Sequence, residues 1–528
     1  MTAATHDHAV DGLTIDGLLQ RAARLWPDQV AYVHADTRLT WSELALEADR
    51  RARAFIGWGV RPGDRVSMWM SNTLDWILVE LGLIRAGAVV VPVNTGFTVD
   101  EAAFVVGQSD SVLLIATASL RGRELGREAV AVAAHPDVDV RAVLTVGGST
   151  DGATTIEDFL IEAPDAGAAA SQARAEAMSP DDIALMLYTS GTTGFPKGVM
   201  HSHRVIGNLE DVADRLRLRS DDVAVMYLPL FHIFALGATI TFMVRGARLV
   251  LMEVFDGEAS LDLMERERVT LVYGVAPHYL DQIRHPSYAK RDLATIRLCI
   301  AAGTGDLVRM VSDQMAPAIN VYGMTETTSM TSLGDMDDAI ELRADTVGRT
   351  LPKSTVKVVD PHGAPVPNGV VGELWVKGPP VMQGYYKLPD VTAEAMGDGW
   401  FRTGDAMTVD ELGYLRFVGR IKEMFKVGGE NVDPIEVETV LMRHPGVAFA
   451  AVQPVPDERL GEVGLAHVTA LPGHALEIDE LRAFARDHLA SFKVPRHIVV
   501  VEQMPMTASG KVRKFLLRDA FIASMAAS

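Results

Sequence analysis

The sequence predicts an α/β protein: a large N-terminal domain of mixed sheets flanked by helices, a small β-rich subdomain, and a small α+β C-terminal domain. Three observations carry the prediction. At 528 residues the chain is too long for one compact core, so it must divide. From Ile15 to about Pro180 helical and strand patterns alternate, which builds sheets with parallel pairing and helices on their faces. After about residue 340 the composition shifts to short strands with turn signals, and then to a βαβ-like module of about a hundred residues. The boundary is placed near Gly419–Glu423, dividing the chain into domains 1–419 and 420–528.

Taken in order, Thr40-Trp-Ser-Glu43 is a capping box that opens a helix running to Gly59. Arg61-Pro-Gly-Asp64 is a turn, Arg65–Met70 a strand, Leu74–Ala86 a helix and Ala88–Val93 a buried strand. Residues 148–175, rich in Gly, Ala, Ser and Asp, read as a loose surface connection. The apolar run Ile183–Leu187 is a buried strand, and helix follows at Leu209–Leu216. Val223–His232 is a strand ending in a Pro turn, followed by a buried helix (Ala235–Val244), a strand (Arg248–Met252) and a charged helix (Leu261–Arg268). Strands at 271–277 and 296–305 end in Gly/Pro loops. The β-rich subdomain comprises Val356–Asp360, Gly372–Val376 and Tyr414–Val418. The C-terminal module has helices Pro434–Arg443 and Ile478–Leu489 beside strands near Ala448–Val455 and Ala466–Ala470. In open α/β sheets ligands collect beyond the strand C-termini, so loops 189–198, 229–237, 274–277, 302–306 and 322–327 are expected to converge on one cleft.

The first of these loops is the most informative. Tyr188-Thr-Ser-Gly-Thr-Thr-Gly-Phe-Pro-Lys-Gly198 places hydroxyls, glycines and one lysine directly after a buried strand. Glycines let backbone N–H groups approach an anion, hydroxyls add donors and Lys197 adds a point charge, which suits nucleotide phosphates. It is not a Walker loop, because Pro196 precedes Lys197 and no Ser or Thr follows it. A formal charge of −20 disfavours nucleic acid as a partner, so anions must be met locally. The single cysteine, Cys299, sits in an apolar strand pattern and rules out an intrachain disulfide. No secretory signal, no membrane-spanning run and no peroxisomal or lipidation signal at the C-terminus is read, so a cytoplasmic location is expected.

Five stretches in series identify a family resemblance: Tyr188–Gly198, Leu228-Pro-Leu-Phe-His232, Val321-Tyr-Gly-Met-Thr-Glu-Thr327, Trp400-Phe-Arg-Thr-Gly-Asp405 with Gly419-Arg420, and Met506-Thr-Ala-Ser-Gly-Lys511. In this order the chain resembles, over nearly its whole length, the acyl-adenylate-forming superfamily of acyl-CoA synthetases, adenylation domains and luciferases. The resemblance implies ATP, Mg2+ and coenzyme A as co-substrates and cofactor, and a two-step reaction. A carboxylate attacks the α-phosphate of ATP, expelling pyrophosphate, and a thiol then displaces AMP from the acyl-adenylate. Thr189, Ser190, Gly191, Thr192, Thr193 and Gly194 would wrap the phosphates, with Lys197 steadying the loop or the leaving pyrophosphate. Glu326, with Thr192, would hold magnesium, and Thr325 would donate to the α-phosphate. Tyr322 and Gly323 with Ala302, Gly303 and Thr304 would line the adenine site, and Asp405 and Arg420 would hold the ribose. Lys511 resembles the catalytic lysine that bridges the attacking carboxylate and the α-phosphate. The chain departs from many relatives at Ala301-Ala-Gly-Thr-Gly-Asp306, where no dinucleotide fingerprint with its helix is read, and at Asp433.

The resemblance also implies a mobile C-terminal domain. Rotation about a hinge at Lys422 would withdraw Lys511 and bring Lys426, Gly428, Gly429 and Glu430 toward the pantetheine thiol. His232 would guard or steer the carboxylate, and Phe234, Ala235, Gly237, Tyr273, Val275 and Met330 would form an apolar acyl pocket. No Asp or Glu falls within 228–244, which disfavours an amino-acid substrate. The partners expected are a small hydrophobic carboxylic acid, CoA and a second copy of the chain, without nucleic acid or a membrane span. Loading of a carrier-protein phosphopantetheine is the alternative to CoA; the compact run Val347–Tyr386, with no insertion to hamper rotation, favours CoA. A luciferase-like oxygenase and a nucleotide-binding regulatory protein are the remaining readings.

Overall fold

The computed structural model describes residues 10, 12–189, 196–421, 423–427, 430–457, 459–506 and 512–526; for Lys426, Glu430, Asn431 and Ala526 only the backbone is described. Two compact units emerge. One comprises 1–356, 376–401 and 412–415, the other 357–375, 402–411 and 416–528.

Local chemistry starts and stops the helices. The Thr40 hydroxyl oxygen accepts from the Glu43 N–H while the Glu43 carboxylate accepts from the Thr40 N–H at 2.8 Å, and the helix Trp41–Trp58 ends on Gly59 at φ 105°. A second capping box, Thr98 with Glu101, opens Val99–Gln108. Buried Arg85 then ties three helices together, its guanidinium 2.9 Å from both Asp16 and Asp49.

In the first unit an eight-stranded sheet runs in the order Gly384–Tyr385, Lys197–Ser202, Ile183–Thr189, Val89–Pro92, Arg65–Trp69, Ser111–Thr117, Val143–Val146, Thr154–Thr155. Pairing is parallel from Ile183–Thr189 onward and antiparallel at the opposite edge. Side chains of a strand alternate between faces, so this sheet feeds two cores. Val90, Leu113 and Ile115 face one core, whereas Val89, Val91, Leu114 and Ala116 face helices Val99–Gln108 and Leu125–Ala133 on the other. The first core continues through helices Ile15–Leu25, Trp41–Trp58 and Leu74–Arg85 into a seven-stranded sheet. That sheet runs Ala318–Ile319, Leu298–Ala302, Leu271–Val275, Val223–Met226, Arg248–Leu251, Val30–His34, Thr37–Thr40, parallel except at its last pair. Cys299 is fully buried within it.

The second unit holds most of a four-stranded sheet (Thr355–Val359, Gly372–Lys377, Phe401–Val409, Leu415–Arg420), the expected β-rich subdomain. It also holds a five-stranded sheet in which the long antiparallel pair Val447–Asp457 and Gly461–Ala470 is joined in parallel by His497–Val500. Helices Pro434–Met442 and Ile478–His488 cover it through Val437, Leu441 and Leu481.

Three expectations are corrected. Residues 148–175 are not a loose connection: they carry the strand Thr154–Thr155, the helix Ile156–Glu162 and most of the helix Ala168–Ala177. The Thr155 hydroxyl caps the first by accepting from the Asp158 N–H at 3.1 Å, a cap signal hidden among loop-type residues. Val223–His232 is strand only to Met226, and His232 is the residue before the buried helix Ile233–Arg245. A helix, Gly305–Gln314, does follow the Ala-Gly-Thr-Gly loop, capped by Thr304.

Candidate active site

The strands Ile183–Thr189 and Lys197–Ser202 form an antiparallel hairpin in which Thr189 faces Lys197. Ser190, Gly191, Thr192, Thr193 and Gly194 lie outside the described residues. The Lys197 ammonium sits over the Tyr385 ring, 5.1 Å from its centroid, and the Tyr385 hydroxyl donates to Glu326 Oε1 at 3.0 Å. Burial, reinforced by the Glu326 charge, pushes the Tyr385 phenol well above its ordinary range, so it remains a donor. One tyrosine thus links the phosphate hairpin to Glu326.

Glu326 sits in a single 3-10 turn, Thr325–Thr327. Its entry is tight: a Cβ on Gly323 would lie 1.9 Å from the Ser329 carbonyl oxygen, so only glycine fits there. Its exit is strained, with Thr328 at φ 50° and Ser329 at φ 74°, two successive left-handed residues that are not glycine. Three contacts hold it. Met382 N–H donates to the Glu326 carbonyl at 2.8 Å, Thr328 Oγ1 donates to the Pro380 carbonyl at 2.7 Å, and His201 Nε2 lies 2.7 Å from the Thr325 carbonyl. A carbonyl only accepts, so the imidazole donates there. Burial lowers the His201 pKa to about 4, leaving the ring neutral near pH 7.

This turn fits a magnesium ion. The Glu326 carboxylate is buried, its Oε1 meets one neutral hydroxyl, and no basic side chain among the described residues forms an ion pair with it. A buried carboxylate of that kind calls for a cation, and one protein carboxylate plus substrate phosphates is the usual Mg2+ arrangement. Thr192, the other expected metal contact, lies outside the described residues.

The adenine-side loop is organised by Asn320. Its Nδ2 donates to the Gly303 carbonyl at 3.0 Å and its Oδ1 accepts from the Gly303 N–H at 3.4 Å, fixing the loop between Ala302 and Thr304. The Thr304 hydroxyl is committed to capping its helix, accepting from Leu307 N–H. Tyr322, buried to 8% exposure, follows Asn320 by two residues. On the acyl side, the Phe234 ring lies 5.7 Å from that of Tyr273, and a Cβ on Gly237 would lie 3.3 Å from Ser329 Cβ. Asn208 Nδ2 holds the Met330 carbonyl at 2.8 Å. Ala235 is buried, Val275 ends the strand Leu271–Val275, and the His232 side chain is exposed rather than in the core. Asn72 clamps the approach to His232, donating to the Leu228 carbonyl at 2.7 Å and accepting from Leu230 N–H at 2.9 Å.

In the second unit Asp405 is 1% exposed, and Arg420 Nε lies 3.2 Å from its Oδ1. The two expected ribose ligands therefore form an ion pair. Asp433 caps the helix Pro434–Met442, accepting from Ile435 N–H at 3.0 Å, and Gly419 leaves room for its carboxylate, 2.8 Å from where a Cβ would stand. Lys422, Gly428, Gly429 and Lys511 lie outside the described residues, as do the side chains of Lys426 and Glu430. The backbones of Lys426 and Glu430 belong to a short antiparallel pair, and a bridge between Met506 and Val512 flanks Lys511.

His201, Tyr385, Asn320, Asn72 and Asn208 hold the expected site segments and were not read from the sequence; each acts on a backbone or side chain 17 or more positions away. A separate cavity of about 430 Å³ opens at the N-terminal ends of the parallel strands, among Arg65, Arg174, Met186, Met200, His203 and Tyr386. It touches none of the expected site residues.

The hairpin expected to meet phosphate is thus joined through a tyrosine to one buried carboxylate, on a pair of largely parallel sheets. The chain belongs to the AMP-binding enzyme family, whose signature matches residues 19–386, with the AMP-binding enzyme C-terminal domain at 436–511. It is 38% identical over 518 residues to a 3-[(3aS,4S,7aS)-7a-methyl-1,5-dioxo-octahydro-1H-inden-4-yl]propanoyl:CoA ligase of Mycobacterium tuberculosis, covering 96% of this chain and 98% of that one. It is 36% identical over 506 residues to a feruloyl-CoA synthase of Amycolatopsis, covering 95% and 98%. The anthranilate CoA ligase AuaEII, solved with anthranoyl-AMP, superposes with a TM-score of 0.87 at 25% identity over 98% of both chains. The protein is an AMP-forming carboxylic acid–CoA ligase that uses ATP, Mg2+ and CoA. No described helix is long and apolar enough to cross a membrane.

Proposed function

We propose that the acid is a bulky hydrophobic carboxylate, ring-bearing rather than a short chain, and without an ammonium group. What supports this is the make-up of the expected acyl site: small Ala235 and Gly237 near the rings of Phe234 and Tyr273, with no carboxylate side chain in 228–244. An ammonium placed there would be buried without a partner. The ring-bearing acids in the names of two relatives, the indenyl-propanoyl and feruloyl ligases, point the same way.

The roles follow from the site. Thr189, Lys197 and the loop 190–194 take the β- and γ-phosphates, Thr325 donates to the α-phosphate, and Tyr322 with 302–304 takes the adenine. Asp405 and Arg420 take the ribose. Glu326 would hold magnesium, which would supply charge neutralisation at the phosphates. The acid's carboxylate oxygen bonds to the α-phosphorus as the bond to the β-phosphate breaks, releasing pyrophosphate; Lys511 offsets the charge gathered there. Residues 420–528 then turn about Lys422, removing Lys511 and presenting Lys426 and Gly428-Gly429-Glu430 to CoA. The thiol sulfur bonds to the acyl carbon, its proton is lost, and AMP leaves. The enzyme works in the cytoplasm as a homodimer.

A panel of fatty, aryl and alicyclic acids in carboxylate-dependent ATP–pyrophosphate exchange tests the reading. The expected order is ring-bearing acids above straight chains, with amino acids inactive. A preference for acetate or for an amino acid would overturn it.

A further inference from the structure

One face of the strand Lys197–Ser202 is given over to the Glu326 turn. Residues at alternate positions share a face, so Lys197, Val199 and His201 point the same way. Lys197 lies over the Tyr385 ring; Val199 packs with Tyr385 and Met382; His201, 1% exposed, meets the Thr325 carbonyl at 2.7 Å and faces Thr328 Oγ1 at 3.3 Å. The turn they meet is strained on both sides, by the Gly323–Ser329 approach and by the left-handed pair Thr328–Ser329. Such strain persists only where neighbours over-determine the backbone. The other donor to the Thr325 carbonyl is the local Thr328 N–H, at a longer 3.3 Å. His201 is therefore the strong hydrogen bond that joins the Thr325 peptide to the strand leaving the phosphate loop.

We propose that His201 is a positioning residue for adenylation, holding Thr325 and Glu326 in register with the phosphate hairpin. The proposal rests on the assignment of Thr325 and Glu326 to phosphate and magnesium. It predicts an effect on the first half-reaction alone, because thioester formation from a finished acyl-adenylate needs neither pyrophosphate contacts nor the ion.

The test uses the full chain with His201→Leu, His201→Gln and His201→Asn. Three quantities are read: acid-dependent ATP–pyrophosphate exchange, thioester formation from supplied acyl-adenylate, and Mn2+ affinity beside a non-hydrolysable ATP analogue, by electron paramagnetic resonance. In His201→Leu, exchange and Mn2+ affinity should each fall about 10- to 100-fold, the range seen when an outer partner of a metal ligand is removed. Thioester formation should stay within about threefold of the parent, as for a residue idle in that step. His201→Gln, whose amide reaches the same carbonyl, should recover most of the loss, while His201→Asn, one methylene shorter, should not. Equal loss in both half-reactions, or Gln and Asn behaving alike, would make His201 a packing residue and overturn the proposal. Glu326→Gln run beside them separates the two failures: if it leaves exchange and Mn2+ affinity intact, the assignment of the turn is wrong, and the proposal with it.

Discussion

The side proposed for phosphate and the side proposed for the acyl group, both in the first unit, are built by different means. On the phosphate side each functional group is fixed by a directional bond. Tyr385 holds the Glu326 carboxylate, His201 the Thr325 carbonyl, Met382 the Glu326 carbonyl and Asn320 the Gly303 peptide. On the proposed acyl side the Phe234 and Tyr273 rings pack against each other, and Ala235 is buried. Directional bonds fail when one partner changes, whereas packed apolar walls can be exchanged if volume is kept. The difference teaches how one scaffold keeps its reaction and changes its acid.

Two substitutions break this contrast most sharply. Glu326→Gln keeps the shape and the Tyr385 contact but removes the charge, and exchange should fall about 10²- to 10³-fold with every acid alike. A loss confined to some acids would mean that Glu326 belongs to the acyl side. Gly237→Leu does the converse. A side chain at 237 must grow against Ser329 and Leu209, whose atoms stand 3.3 and 3.4 Å from the Cβ position. kcat/KM for the bulkiest accepted acids should fall about 10- to 100-fold while the smallest acid in the panel is kept. A uniform loss would show that the helix Ile233–Arg245 had shifted rather than that the pocket had narrowed.

How much of this was legible in the sequence follows the same division. The capping boxes at Thr40 and Thr98, the buried helix before Arg245 and the loops at strand ends are written in residues a few places apart, where periodicity and capping chemistry act. The supports were not legible. His201 reaches Thr325 across 124 positions and Tyr385 reaches Glu326 across 59, and neither is more than a His or Tyr among apolar neighbours until the sheet forms. Residues 154–162 were missed for the opposite reason: Thr155 and Asp158 are a cap, yet the Gly- and Ser-rich run before them reads as loop. His232 was read at the end of a strand because Pro229 follows an apolar run, whereas that strand stops at Met226.

The Asp405–Arg420 pair, proposed to hold ribose, offers a gentler comparison, since its chemistry is polar but partly solvent-facing. Arg420 Nε meets Asp405 at 3.2 Å, and the arginine is the more exposed partner. Arg420→Ala should raise KM for ATP roughly tenfold, with kcat for the thioester step little changed, because exposed ion pairs are modest and the carboxylate stays in place. If KM for the acid moved instead, the pair would not be reading ribose.

The smallest effect expected lies where the polar scheme carries a penalty. Asp433 caps its helix beside Gly419, and burial pushes its carboxyl up to about 6 from an ordinary 3.8, with Glu436 and Glu438 adding to the shift against the helix N–H groups. The folded chain therefore holds this proton more tightly than the unfolded chain does. Stability falls as pH rises from about 4 to about 6, because the folded state binds more protons over that window, and the deficit persists above it. Asparagine caps a helix as well as aspartate and carries no charge to bury. Asp433→Asn should accordingly raise the melting temperature at pH 8 by on the order of a few degrees. At pH 3, where both folded and unfolded carboxyls are largely protonated, the gain should vanish. An equal gain at both pH values would place the benefit in packing against Gly419 rather than in the charge. It would also move Asp433 from the directionally bonded set to the packed one.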